Sequence, residues 1–162
     1  TYGGIDRAAW TFWRSKATNA GALTSATIQG AMNTMWSSLI RGMDRPNLLV
    51  MDDLFWQMFM ASLQPQQRFT DPRTANLGFP TVKFMDADVV CDGGIGGFAT
   101  ANTCFFLNTK YLHYRPHSKR NMVPLAPNKR YAINQDAEVQ ILAWAGNMTG
   151  SGMQYQGRLI KT

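Results

Sequence analysis

The chain has 162 residues, 45% of them apolar, a size that fits one domain or one domain plus part of a second. No apolar run reaches the roughly 18 residues of a membrane-spanning helix, and the first residues show no charged head followed by an apolar stretch, so a signal peptide is not expected. Two cysteines, Cys91 and Cys104, exclude a disulfide framework and are expected to be free thiols of a reducing cytoplasm, with one bridge between them as the alternative.

The net charge of +6 is concentrated in one part of the chain. Residues 93–135 contain no acidic residue, whereas cations and acids balance on both sides of this block. Its cations are Lys110, Arg115, Lys119, Arg120, Lys129 and Arg130. A basic block of this kind indicates a nucleic acid, an acidic partner surface or a neighbouring copy of the same protein as the binding partner.

The first elements in chain order are an irregular segment and a helix. Residues 1–22 are rich in tryptophan and glycine and are expected to dock through their aromatic side chains without regular structure. Thr24 and Ser25 can cap the helix that follows. Apolar residues then recur every three or four positions from Ile28 to Met43, which predicts an amphipathic helix that stops near Gly42.

A strand and a second helix come next. Residues 47–51 form a short apolar run, which predicts a buried strand. Asp52 and Asp53 can cap the following helix, because carboxylates accept hydrogen bonds from its first N–H groups. That helix, residues 54–63, is apolar nearly all round and is expected to be buried on more than one side, by its own domain or by a partner.

The second half of the chain predicts short strands and loops. A polar loop is expected over 64–80, a glycine loop over 93–97 and a basic loop over 116–129. Strand pairs are expected at 81–85 with 88–91, at 103–107 with 110–115, and as a terminal hairpin at 138–144 with 153–160, with a short strand at 130–133. The predicted fold class is α+β: a small mixed sheet flanked by two helices, with a C-terminal β-hairpin.

No pattern in the sequence favours a cofactor, a metal or catalysis. Gly94 to Ala99 fits a loose dinucleotide-binding pattern, but a strand rather than the required helix is predicted after it. His113 and His117 would lie roughly 13 Å apart on a strand, too far for one zinc ion. The carboxylate pairs are explained by a helix cap and a turn, and no nucleophile motif is present. We therefore expect no cofactor and no enzyme activity.

Aromatic residues alternate with cations inside the basic block. Tyr111, Tyr114 and Tyr131 lie beside Lys110, Arg115 and Arg130, a pattern compatible with the stacking of single-stranded nucleic acid. The same residue types are enriched at protein–protein interfaces, so both interpretations remain open at this point.

Several segments resemble the central A domain of tailed-phage major capsid proteins of the Hong Kong 97 type. The early match is a helix followed by residues 46–51 (PNLLVM), the two aspartates and Phe55-Trp56. Further segments that resemble phage coat sequences are 3–7 with Trp13-Arg14, 106–112 (FLNTKYL), 115–117 (RPH), 121–125 (NMVPL), 137–151 (AEVQILAWAGNMTGS) and 156–160 (QGRLI). The similarity runs across nearly the whole chain, and its motifs are structural rather than chemical.

The resemblance implies a structural role and a domain plan. Residues 1–22 would be a lead-in segment, 23–135 an A-like domain, and 136–162 a strand pair returning to a peripheral domain. The N-terminal arm, extended loop and spine helix of a complete subunit would precede Thr1, so this would be the C-terminal part. Copies would form pentamers and hexamers of a virion shell, assembled in the host bacterial cytoplasm around double-stranded DNA that they contact only indirectly. A nucleic-acid-binding domain and the shell of a non-viral cage are the alternatives.

Within such a ring, one face of each copy must complement a different face of the next. The expected basic surface, which would contact either the neighbouring subunit or DNA, comprises Lys110, Arg115, His117, Lys119, Arg120, Lys129 and Arg130. The expected acidic counter-surface on the neighbouring copy comprises Asp86, Asp88 and Asp92.

Overall fold

The computed structural model describes residues 3–63, 82–94, 97–126, 130–131, 134 and 136–162, giving only the backbone of Arg130 and Tyr131. The chain divides into two compact units. Unit 1 comprises Thr1–Tyr111 and Gly152–Thr162, and unit 2 comprises Leu112–Ser151. This division falls at residues 111 and 151, whereas the sequence placed its boundaries at 22 and 135. The predicted loop at 64–80 lies outside the described residues. No described helix is long and apolar enough to cross a membrane.

Helix α1 spans Ile28–Leu39 and has one buried stripe, as the three- and four-residue spacing predicted. The buried residues are Ile28, Met32, Met35, Trp36 and Leu39. Thr27 precedes the first turn and makes no side-chain capping bond, so the predicted caps at Thr24 and Ser25 are wrong. The Thr24 carbonyl instead accepts hydrogen bonds from the Thr27 and Ile28 N–H groups.

The predicted end of α1 near Gly42 is also wrong, because the helix ends at Leu39. Ile40 already has an extended backbone, and Arg41 and Asp44 exchange two backbone hydrogen bonds of 3.0 Å across a tight turn. Met43 lies in that turn with 98% of its surface exposed. The apolar periodicity therefore extends beyond the end of the helix, and the Met43 side chain does not pack on the core.

Strand β2, Leu48–Met51, leads directly into helix α2, Asp53–Leu63. Asp52 caps the helix as predicted, because its carboxylate accepts a hydrogen bond of 3.0 Å from the Phe55 N–H. Within the described chain only one stripe of α2, with Phe55 and Phe59, is fully buried.

Unit 1 is built on a six-stranded mixed sheet of order β1-β10-β5-β2-β4-β3. The strands not yet named are β1 (Lys16–Asn19), β3 (Val82–Phe84), β4 (Ala87–Cys91), β5 (Thr103–Leu107) and β10 (Gly157–Ile160). β1 runs parallel to β10 and β2 parallel to β4, whereas β5 is antiparallel to both of its neighbours. The mixed sheet and two helices confirm the predicted α+β class at this level.

Both helices pack on the same face of this sheet. Register places Leu49, Val89, Phe106 and Leu159 on that face, and all are buried in a single core cluster with the stripes of α1 and α2. On the opposite face, Thr103 of β5 is buried, and the other side chains are half-buried or exposed. Unit 1 is therefore a two-layer structure whose second sheet face is not covered by a described helix.

Several predicted strand pairings are wrong. β5 pairs with β2 and β10, not with the residues that follow it. Residues 153–160 do not form a hairpin with 138–144, because β10 inserts between β1 and β5. The lead-in segment is not wholly irregular, since β1 extends the sheet and a 3-10 turn covers Thr11–Trp13. The pairing of β3 with β4 around Met85 and Asp86 is confirmed.

Unit 2 consists of two strand pairs. β6 (Leu112–Pro124) pairs antiparallel with β9 (Leu142–Gly150). β7 (Arg130–Tyr131) pairs with β8 (Glu138–Val139). Most of the predicted basic loop at 116–129 is thus the second half of a long strand. Pro116 and Pro124 do not prevent strand formation, because an edge strand tolerates a residue without an N–H donor.

Candidate functional site

The structure brings four of the seven predicted basic residues together on one strand. Arg115, His117, Lys119 and Arg120 all lie on β6 and are exposed. Lys110 belongs to unit 1, where it forms part of a 3-10 turn. Lys129 and the side chain of Arg130 lie outside the described residues. The candidate site is therefore the two-stranded ribbon formed by β6 and β9, called here the basic ribbon.

The ribbon is irregular where its cations are densest. Pro116 pairs with Gly146 and Asn121 with Trp144, so five steps along β6 oppose two along β9. His117, Lys119 and Arg120 fall in this mismatched stretch, a β-bulge that leaves residues unpaired and redirects side chains. The His117 Nδ1 accepts a hydrogen bond of 3.2 Å from the Lys119 N–H, which folds the bulge back on itself.

An aromatic pair marks the surface of the ribbon. The rings of Tyr114 and Trp144 stack with centroids 6.2 Å apart and planes inclined by 5°, and the indole N–H donates a hydrogen bond to the Tyr114 hydroxyl. A Cβ at Gly146 would lie 3.1 Å from the Trp144 ring, so the missing side chain leaves room for this stack. On the opposite face of the ribbon, the Arg115 Nε donates a 3.2 Å hydrogen bond to Thr149.

The ribbon also exposes an unusual amount of apolar surface. Apart from half-buried Leu112, every residue of β6 is exposed. The exposed large apolar residues on the two strands are Tyr114, Met122, Val123, Leu142, Trp144 and Met148. Contiguous apolar surface with charged neighbours marks an interaction site in soluble proteins. Chemically, the ribbon can bind an extended surface that is partly apolar and partly anionic.

Lys110 belongs to a separate hydrogen-bonded cluster in unit 1. Its ammonium contacts Asp44 at 2.9 Å, and the Tyr111 hydroxyl donates a 2.7 Å hydrogen bond to the other oxygen of that carboxylate. These bonds, first that of Tyr111 and then that of Lys110, lower the pKa of Asp44. The same carboxylate raises the pKa values of Lys110 and Tyr111. Lys110 is thus engaged within its own chain.

Two of the three predicted acidic residues already have partners in the same chain. Asp86 pairs with Arg45 at 2.7 Å and Asp88 with Lys83 at 3.8 Å, and all four side chains are more than half exposed. Surface pairs of this kind are weak, so a neighbour's cation could replace the internal one. Asp92 is half-exposed, at the end of β4.

The histidines and cysteines do not converge on a metal site. His113 contacts Ser151 at 3.3 Å, and both cysteines are free, with Cys91 exposed and Cys104 buried. Burial raises the pKa of both thiols, that of Cys104 far above its ordinary range, which makes a reactive thiolate unfavourable. In the part of the chain that the structure describes, no group of three or more potential ligands could hold a metal ion.

A second cationic surface, in unit 1, was not predicted from the sequence. Arg7, Lys16 and Arg158 line one groove although they come from opposite ends of the chain. A count of charge along the sequence could not find them, because acids balance cations in both of those regions. Only the parallel pairing of β1 with β10 brings them together.

Comparison with known proteins leaves the family open. No protein-family model matches the chain, and no curated protein matches it significantly.

Proposed function

We propose that this chain is part of a structural subunit of a tailed-bacteriophage head, a fragment of a major capsid protein of the Hong Kong 97 type. In this proposal copies assemble through subunit contacts into an icosahedral shell around double-stranded DNA, within the host bacterial cytoplasm, and end in the virion. The proposal assigns no catalytic role and no cofactor. The resemblance of the segments from PNLLVM to QGRLI motivates it.

The observation that carries the proposal is the basic ribbon. A two-stranded ribbon is at best marginally stable in water without a further layer. β6 and β9 nevertheless extend over 13 and 9 residues, with aromatic, aliphatic and cationic side chains exposed. Such a ribbon gains stability when a partner covers it, and its mixture of tyrosine, tryptophan, methionine and arginine is typical of protein interfaces. Other copies of the chain are the partners that we propose.

Electron microscopy of the full-length gene product, expressed alone, tests the proposal. Closed shells of uniform diameter are expected, and their absence under conditions where the protein is folded and concentrated would contradict it. The double variant Lys119→Glu/Arg120→Glu should prevent or slow assembly at moderate salt. Its matched control, Lys119→Arg/Arg120→Lys, keeps the charges and should assemble normally. Normal assembly of the charge-reversed variant would exclude the bulge from the interface.

A basic nucleic-acid-binding domain is the second candidate. The exposed stack of Tyr114 and Trp144 on a ribbon rich in cations favours it, because single strands bind through aromatic stacking combined with cations. In that case affinity for an oligonucleotide should fall steeply as salt rises, and the full-length protein should form no shells. A non-viral cage of the same fold would form shells too, and only the enclosed cargo would distinguish it.

A further inference from the structure

Unit 1 contains a groove in which cations surround an apolar floor. The groove has a volume of about 340 Å³ and lies where β1, β10 and β5 adjoin. Phe105, Leu107 and Met153 contribute apolar surface, and Arg7 and Arg158 contribute positive charge. We call it the basic groove. Its size is within the range of roughly 300–1,000 Å³ that is typical of ligand-binding clefts.

The basic groove contains no acidic residue among those that line it. Lys16 also lines the groove, but its ammonium donates a hydrogen bond to the Ser38 carbonyl of α1, on the helix-covered face of the sheet. The side chains of Arg7 and Arg158 are exposed, and neither forms an ion pair within the described residues. The groove is therefore suited to a ligand with an apolar body and one or two negative charges.

Another surface of unit 1 combines an exposed apolar side chain with acidic residues. Phe98 is 94% exposed, which is unusual for a phenyl ring. Two glycines that precede it lie against acidic residues: a Cβ on Gly93 would lie 2.6 Å from the Asp53 nitrogen, and one on Gly97 would lie 2.9 Å from the Asp92 carbonyl oxygen. The backbone that leads into Phe98 is therefore close to the backbones of Asp53 and Asp92. We call this feature the acidic knob.

The groove and the knob cannot meet within one copy. The groove lies at the end of the sheet where β1 and β10 begin, whereas the knob lies where β2 and β4 end. Three strand spacings, roughly 14 Å, also separate β10 from β4 across the sheet. A contact between them must therefore join two copies and use a different surface on each.

We propose that the acidic knob of one copy inserts into the basic groove of the next, with Phe98 on the apolar floor and Asp53 and Asp92 facing Arg7 and Arg158. This inference rests on the proposed self-assembly and assigns a specific contact to it. The interface is head-to-tail, so it generates rings or open chains and not closed two-fold dimers. An apolar floor favours a protein side chain over nucleic-acid phosphates, which need only protruding cations.

Complementary variants of residues 1–162 test the contact by sedimentation velocity. Wild-type chains should associate progressively with concentration, beyond dimers. Phe98→Ser and Arg158→Glu should each weaken association at least tenfold. An equimolar mixture of these two variants retains one intact groove and one intact knob, so it should form a one-to-one dimer that grows no further. The dimer would also show that both variants are folded.

Two control variants remove the same chemistry elsewhere in unit 1. Met43→Ser deletes another almost fully exposed apolar side chain, and Arg41→Glu reverses another exposed charge. Both should associate like the wild type. The proposal is overturned if wild-type chains stay monomeric, if the complementary mixture stays monomeric, or if the controls weaken association equally. It is also overturned if Arg158→Glu abolishes oligonucleotide binding while self-association is unchanged.

Microscopy of the full-length product separates this inference from the proposed function. Shells that form normally from the Phe98→Ser variant would overturn the knob-and-groove contact and leave the capsid proposal standing. A one-to-one dimer from the complementary mixture, together with failure of the wild-type protein to form shells, would support the contact and contradict the capsid proposal.

Discussion

Asn108 and Gln156 form a reciprocal pair of hydrogen bonds in the interior of unit 1. The Gln156 Oε1 accepts a 2.9 Å bond from the Asn108 N–H, and its amide donates a 3.0 Å bond to the Asn108 carbonyl. Both residues are buried, so the side chain satisfies a donor and an acceptor that water cannot reach. The pair joins the end of β5 to the start of β10, at one margin of the basic groove.

Replacing Gln156 with leucine should therefore be costly. Both backbone groups of Asn108 would remain buried without a partner, and the expected loss is about 2 kcal/mol of unfolding free energy. Urea denaturation at neutral pH measures it. Gln154→Met is a suitable control, because the buried Oε1 of Gln154 has no hydrogen-bond partner among the described residues and its removal should cost little. Equal losses for the two variants would contradict the assigned role of Gln156.

Asp52 should be the acidic residue on which unit 1 depends most for stability. One oxygen caps α2 at the Phe55 N–H, and the other accepts a 2.7 Å hydrogen bond from the Asn102 N–H before β5. Asp52→Ala leaves both donors unsatisfied and should lower the unfolding free energy by about 2 kcal/mol. Asp53→Ala is the matched control, since within the described residues the exposed Asp53 carboxylate accepts one hydrogen bond, from the Gln57 amide. Its effect should stay below about 0.5 kcal/mol.

The cluster of Asp44, Lys110 and Tyr111 should make stability depend on pH. The pKa of Asp44 is lowered in the folded state by its hydrogen bonds to Tyr111 and Lys110. Because the pKa is lowered, the ionised carboxylate makes its full contribution to the free energy of unfolding above the unfolded-state pKa of about 3.9. This contribution disappears as pH falls through the folded-state pKa. The stability difference between wild type and Asp44→Asn should therefore shrink as pH falls from 5 to roughly 2.

Tyr111→Phe provides the control for this pH effect. It removes the larger cause of the pKa shift and keeps the ring that stacks on Tyr155. The acid-dependent part of the stability difference should be smaller in this variant. A difference between wild type and Asp44→Asn that stays constant from pH 6 to 2 would show that the ionised carboxylate contributes nothing.

The aromatic stack should stabilise the basic ribbon locally. Trp144→Ala removes the stacked ring and the hydrogen bond to Tyr114, at an expected cost of about 1 kcal/mol. Hydrogen exchange should accelerate at amides of β6 and β9 and remain unchanged in β2 and β5. The matched control is Trp10→Ala, an exposed tryptophan of unit 1, which should leave exchange in the ribbon unaffected. Unchanged ribbon exchange in Trp144→Ala would contradict this role.

Local patterns in the sequence determined the elements whose signals are short in range. The period of the apolar residues identified α1, the run LLVM identified β2, and the position of Asp52 before an apolar stretch identified the α2 cap. The two short apolar runs on either side of Asp86 identified the β3–β4 pair, although the turn lies at Met85 and Asp86 and not at the predicted Asp86 and Ala87. Each of these depends on residues within a few positions of one another, where periodicity and capping chemistry act directly.

Only the tertiary structure decided which distant strands pair. β10 joins β5 and β1 because Leu159 completes the buried face of the sheet, and Gln156 satisfies Asn108 across 48 residues of chain. Strand adjacency depends on this shared burial, which leaves no mark on local sequence. The cations of the basic ribbon could be predicted from the sequence because they are neighbours along the chain. The cations of the basic groove could not, because only the parallel pairing of β1 with β10 brings the two ends of the chain together.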